Sequence, residues 1–294
     1  MAVNSIRPAA VAGTWYPGSG GALAREVDAY FAAVDPPAAV PRGELFGVMA
    51  PHAGLMFSGP VGAYAYKAAA AGGPFESAIL VGPSHFVAFD GVALYPSGAF
   101  DSPLGPATID ESLGAELLAA SPIVRPMPQA HTREHSLEMQ LPFIRRLLPD
   151  VPIVPLLMGY QTLDTIRALA DALARVAAGR RVLLVASTDL SHYFDAATAE
   201  SLDRRVQDAV AAFDPEAFIS TFEQYPEGER GRFVACGGGP AISVMLAARA
   251  RGARHGRALK YMHSGQISGD MTGVVGYLAG AFGNFRPSDD HPIH

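Results

Sequence analysis

Apolar residues recur along this chain with two different spacings. Seven short runs are continuous: LFGVMA (45–50), SAILVG (77–82), GVALYP (91–96), PIVPLLMG (152–159), RVLLVAS (181–187), ALKYMHS (258–264) and GVVGYLAGAF (273–282). Each is bounded by glycine, proline or polar residues, which predicts strands buried on both faces. Elsewhere the spacing becomes three and four. Leu23, Val27, Phe31 and Val34 share one face, as do Leu163, Ile166, Leu169, Leu173 and Val176, and Leu202, Val206, Ala209 and Phe213. Asp214-Pro215 reads as a helix start, a capping oxygen followed by a preset φ. Strands alternating with helices predict an α/β fold whose mostly parallel central sheet is covered on both faces. A proline-rich stretch at 34–44 separates the first helix from the first strand. No repeat or long low-complexity linker interrupts the rest, so one domain over residues 1–294 is expected.

Hydrophobic residues make up 49% of the chain and charged residues 17%, ample for a large core. A net charge of -6 argues against nucleic-acid binding and against a polybasic membrane anchor. The start, MAVNSIRPAAVAGTWYPGSG, lacks the apolar core of a signal peptide, and no apolar run is long enough to span a bilayer. The single cysteine excludes an internal disulfide framework. These features together give the expectation of a cytoplasmic protein.

Candidate chemistry collects where strands end. FGVMAP is followed by His52, AILVGPS by His85, and VLLVAST by Asp189 and then His192. Open α/β sheets bind ligands beyond the carboxyl ends of their strands. Histidine and aspartate are metal ligands and acid–base groups, although a histidine after a strand also serves as an ordinary turn residue. In QAHTREHSLEMQLPF, His131, His135 and Glu138 have the i, i+4, i+7 spacing of one helix face. His135 and Glu138 are candidates to orient metal-bound histidines, whereas Glu134 reads as a first-turn charge matching the helix dipole. His255, His291 and His294 lie in polar or terminal segments and read as solvated. Cys236, in VACGGGPAI, precedes three glycines and a helix expected from about Pro240. A thiol beside a helix N-terminus is acidified and can ligate a metal; it can equally be a small buried residue before a tight turn.

Taken in order, GTWYPG, APHAGLMFSGPVGAYAYK, VGPSHF, HSLEMQLPF, STDLSHY and ACGGGP resemble the Memo family. The family is similar in fold to the class III extradiol dioxygenases. The resemblance implies a three-layer αβα domain with a deep pocket, and a metal held by His52, His85 and Cys236. Cysteine stands there for the glutamate of the dioxygenases. It also implies pocket roles for Asp189 and His192. Two departures concern animal members, which carry bulky basic residues where this chain has Gly238 and Gly239, and a second histidine where it has Phe86. A pocket less basic and more open on one side is expected, a departure that bears on whether the animal proteins' peptide-binding role carries over.

The expectation is therefore a non-haem metal protein, dioxygenase-like or otherwise redox-active, with Fe(II) first and copper or zinc as competitors. His192 would move protons, and Asp189 would orient it or join the metal. The rivals are a non-catalytic module that holds a metal or peptide in the same pocket, and a zinc hydrolase with the same ligands. The substrate is expected to be a small molecule of unknown identity. Association with a radical-SAM protein is implied by the resemblance alone.

Overall fold

The computed structural model describes residues 6–35 and 40–286. His291, His294 and the centre of the proline-rich stretch lie outside the described residues. A two-residue strand β1 (Ile6–Arg7) precedes α1 (Gly20–Ala32), β2 (Gly43–Ala50), α2 (Leu55–Gly72) and β3 (Ser77–Pro83). Short elements follow: β4 (Val92–Leu94), β5 (Ala99–Phe100), β6 (Ala107–Thr108), α3 (Glu111–Ala120), β7 (Val124–Pro126), α4 (Pro128–His131) and α5 (Leu141–Leu147). Next come β8 (Ile153–Met158), α6 (Leu163–Val176), β9 (Val182–Ser187), β10 (His192–Phe194), α7 (Ala196–Ala211), α8 (Pro215–Glu223) and α9 (Glu227–Phe233). The chain closes with α10 (Gly238–Ala250), β11 (His255–His263), α11 (Gly265–Ser268) and β12 (Val274–Phe285).

The large sheet has the order β10-β12-β2-β9-β3-β8-β4-β7, with β11 paired to β12; β1, β5 and β6 form a small separate sheet. Successive residues of a strand point to opposite faces, and the core divides accordingly. Val48 and Leu80 pack with Leu23, Tyr66 and Phe143 on the α1, α2 and α5 side. Met49 and Ile79 pack with Leu169, Val206 and Met245 on the α6, α7 and α10 side. The helix faces predicted at 23–31 and 163–176 are buried, and Asp214 caps α8 by accepting from Glu216 and Ala217 N–H.

The sheet is parallel at its centre and antiparallel at its flanks. β2, β9, β3 and β8 run parallel, whereas β4 opposes β8, and β10, β11 and β12 are antiparallel to their neighbours. The connection between β11 and β12 is too short for a crossover, so an antiparallel pair is the only choice. The central register sets Ala50 of β2 beside Ser187 of β9, and Val81 of β3 beside Ala186. Three strand ends that carry histidine or aspartate thus open onto one edge.

Two local expectations are corrected. The helix face expected through His131, His135 and Glu138 is interrupted: α4 stops at His131, a turn follows, and a single 3-10 turn (Glu138–Gln140) leads into α5. The Glu134 carboxylate accepts from its own His135 and Ser136 N–H, which satisfies the backbone without a helix. The segment before Cys236, expected as strand or loop, is helix α9, and α10 starts two residues ahead of Pro240. Among the described residues no single helix is long and apolar enough to cross a membrane.

Candidate metal centre

His52 follows the end of β2 through Pro51, and His85 leaves β3 through Ser84. Cys236 reaches them from the turn between α9 and α10, which is stitched onto the end of β9. Cys236 N–H donates to the Asp189 carbonyl (3.2 Å), Asp189 N–H points at Sγ (3.3 Å), and Gly237 N–H donates to Thr188 Oγ1 (2.9 Å). Gln161 clamps the other side, donating to the Cys236 carbonyl and accepting from Gly239 N–H, both at 2.7 Å. Glycine at 237 is a steric requirement, because a Cβ there would run into the Ser187 carbonyl oxygen and Thr188.

One ligand atom from each of His52, His85 and Cys236 lies within 4.8 Å of the others. His52 Nε2 is 3.2 Å from Sγ, and the two imidazole rings stand edge to face with centroids 5.3 Å apart. Each ring is held by its other nitrogen. His52 Nδ1 lies 2.9 Å from Ser187 Oγ, whose own proton goes to the Ser136 carbonyl while Gln140 donates to it. Ser187 must therefore accept from Nδ1–H, so Nε2 is the nitrogen of His52 that faces the thiol. His85 Nδ1 is 2.9 Å from Glu134 Oε1, and His85 N–H donates to Oε2 at 2.6 Å.

The charges follow. Burial works against Glu134 ionising, but its bonds to His85 and to backbone N–H groups hold its carboxyl well below the usual range. Burial would lower the His85 imidazole, yet hydrogen bonds to Cys236 and Glu134 push it up to about 10. Burial would raise the Cys236 thiol, but the His52 charge and bonds to both histidines bring it down to about 6. Two anchored imidazoles and an acidified thiol suit a borderline or soft divalent ion, so the donor set fits the metal that the resemblance implies.

The three donors open into a cleft of about 500 Å³. His135 lines it, stacked on His85 with centroids 4.6 Å apart, and burial followed by the neighbouring histidine charges pulls its pKa down to about 3. Trp15 covers His135 at 4.3 Å and lines the same cleft. His192 also lines the cleft, with Nδ1 buried and unpaired among the described residues. Asp189 lines it too, but its carboxylate accepts from His52 N–H at 2.7 Å rather than from His192; burial raises its pKa.

The expected pairing of Glu138 with the metal-site histidines is not seen. Its carboxylate accepts from Arg7, the Ala10 and Val11 N–H groups and Tyr16, and Glu134 does the orienting at His85. His131 lies apart, its Nε2 on the Ala93 carbonyl. Gly238 and Gly239 do not widen the cleft: they are buried at the start of α10, against Phe222 and Gln161. Phe86 stands exposed, its ring 5.9 Å from that of His135.

The family model described as Memo-like protein matches residues 7–281. The chain belongs to the Memo family. A MEMO1 family protein of Methanopyrus kandleri is 36% identical over 94% of this chain and 98% of its own length. Another from Nitrosopumilus maritimus is 33% identical over 93% and 98%. In fold alone, this Memo chain is similar to the crystal structure of an uncharacterized protein from Escherichia coli K12. That likeness has a TM-score of 0.57 at 15% identity and covers 82% of this chain and 100% of the other.

Proposed function

We propose that His52, His85 and Cys236 hold one divalent metal ion, Fe(II) first, and that this Memo protein is a metal-dependent oxidoreductase acting on a small molecule bound in the cleft. The observation that carries the reading is the convergence of two imidazoles and one thiol, with each imidazole held through Nδ1 by a separate partner. Such anchoring is what a ligating histidine needs and a solvated turn histidine lacks. When bound, the metal supplies Lewis-acid and redox chemistry. Glu134 keeps His85 oriented, and Ser187 keeps His52 in the tautomer that presents Nε2. His192 faces the same cleft with its Nδ1 unpartnered among the described residues, which leaves its imidazole available to take or give a proton at a bound molecule. Asp189, held on the His52 amide, fixes the backbone between the two.

The test is metal content after anaerobic reconstitution with Fe(II), with copper and zinc loaded in parallel. Wild type should bind one ion per chain, and His52→Ala and Cys236→Ala should lose it. Full binding that survives Cys236→Ala would overturn the ligand set. Oxygen consumption during a substrate screen tests the redox half. Turnover that persists without oxygen or another oxidant would favour zinc hydrolysis, and metal binding without any turnover would favour a binding module.

A further inference from the structure

The cleft wall holds one charged side chain that the metal reading does not use. Arg232, in α9 four residues before Cys236, lines the cleft. Its guanidinium lies over Phe194 and Phe233, at 4.9 and 5.6 Å from the ring centres, and Phe233 stacks on Tyr225 at 4.6 Å. The rings steady the cation but offer its N–H groups no acceptor. Among the described residues the guanidinium of Arg232, an exposed residue, has no hydrogen bond and no ion pair. Arg230, on the same helix, is the contrast: it donates to the Tyr225 and Gln161 carbonyls and lies 4.0 Å from Glu223. Arg232 is also the only lysine or arginine among the described residues lining the cleft. Asp189, the carboxylate among the lining residues, is engaged on the His52 amide. Much of the remaining wall is flat and apolar, with Trp15, Tyr193, the His135 ring and Val275.

We infer that Arg232 selects a substrate bearing a single carboxylate on a planar apolar body. The inference rests on the reading of this cleft as a substrate site. The guanidinium offers parallel N–H groups that match a carboxylate two for two. Its ring bed limits the side-chain entropy lost on binding. The body of the molecule then lies among the rings of Trp15, His135 and Tyr193, on the side of the cleft that leads to His52, His85 and Cys236.

Trp15 is the only tryptophan in the chain, so its fluorescence reports on this cleft. Benzoate and its neutral counterpart benzamide are titrated into metal-free and Fe(II)-loaded wild type, Arg232→Ala and Arg232→Lys. Wild type should bind benzoate about tenfold more tightly than benzamide, the lower range for charge-assisted hydrogen bonds. Arg232→Ala should erase the preference, weakening benzoate binding far more than benzamide binding. Arg232→Lys should keep part of it, because a point charge lacks the fork. Equal binding of the two probes by wild type, or a preference that survives Arg232→Ala, overturns the inference. Metal content, measured on the same samples, separates the two readings. If wild type holds no metal yet the benzoate preference depends on Arg232, the metal reading falls and the carboxylate site stands.

Discussion

The Cys236 sulfur lies 3.2 Å from Nε2 of His52, a residue 184 positions earlier in the chain. The contact joins a strand end to a helix start and places an acidified thiol against a nitrogen whose tautomer is already fixed. In the metal-free protein the same proximity should make Cys236 a reactive thiolate.

That reactivity gives a pH signature. The thiol is brought from its ordinary value of 9.0 down to about 6, so the metal-free protein should carry thiolate at neutral pH. Alkylation by iodoacetamide should rise through a midpoint near that value and level off where an ordinary thiol is still protonated. In His52→Ala the midpoint should move up, because the main charge that lowers it is gone. A wild-type midpoint near 9 would contradict the coupling of the two side chains.

The partners behind the histidines set how tightly a metal is held. Glu134→Gln places an amide where four N–H groups converge, counting His85 Nδ1, and Ser187→Ala leaves His52 Nδ1 without its acceptor. Loss of such partners costs about 10–100-fold in metal affinity. Competition with a chelator should show a loss of that size in both variants. Unchanged affinity in Ser187→Ala would mean that Nε2 is presented by packing alone.

The strand ends bearing His52, His85 and Asp189 were legible because an apolar run that stops at a polar residue marks both the strand and its exit. Strand direction is not written in such a run, which is why the antiparallel flanks emerge only from the connections. Glu134 was hidden by its own neighbours. The spacing of His131, His135 and Glu138 suggests a helix, and in a helix Glu134 is an ordinary first-turn charge. The informative signal was an acid directly before His135 and Ser136, whose backbone N–H groups it accepts. Cys236 is tied to the site by long-range contacts that no local pattern encodes, and only the family resemblance singled it out.

The glycines after Cys236 are a consequence of that docking. Gly237 presses on the end of β9, where the obstacle to a Cβ is the Ser187 carbonyl oxygen, a backbone atom that cannot swing aside. Gly237→Ala should therefore push Cys236 away from His52, lowering both the melting temperature and metal occupancy. Overpacking of this kind costs about 1–3 kcal/mol. Retention of full metal loading would show that the turn can shift without moving the sulfur.

Glu138 acts at a distance from the metal ligands, through the N-terminal segment. Its buried carboxylate pairs with Arg7 at 2.6 Å and accepts from Ala10 N–H, Val11 N–H and Tyr16 Oη at 2.7–3.0 Å. Arg7 in turn donates to the carbonyls of His131 and Glu134, so one network fixes both the strap that carries Trp15 and the turn that carries Glu134. Glu138→Ala strands a buried guanidinium and two amides; breaking a buried pair in this way costs about 3–5 kcal/mol. Denaturant unfolding should register that loss. Trp15 emission should shift to the red as the ring leaves His135, and metal affinity should weaken as the Glu134 turn loosens. Glu138→Gln, which keeps an acceptor for the amides, should fall between the two. If Glu138→Ala lost stability but left Trp15 emission and metal affinity as in wild type, the strap would be an independent structural element rather than part of the site.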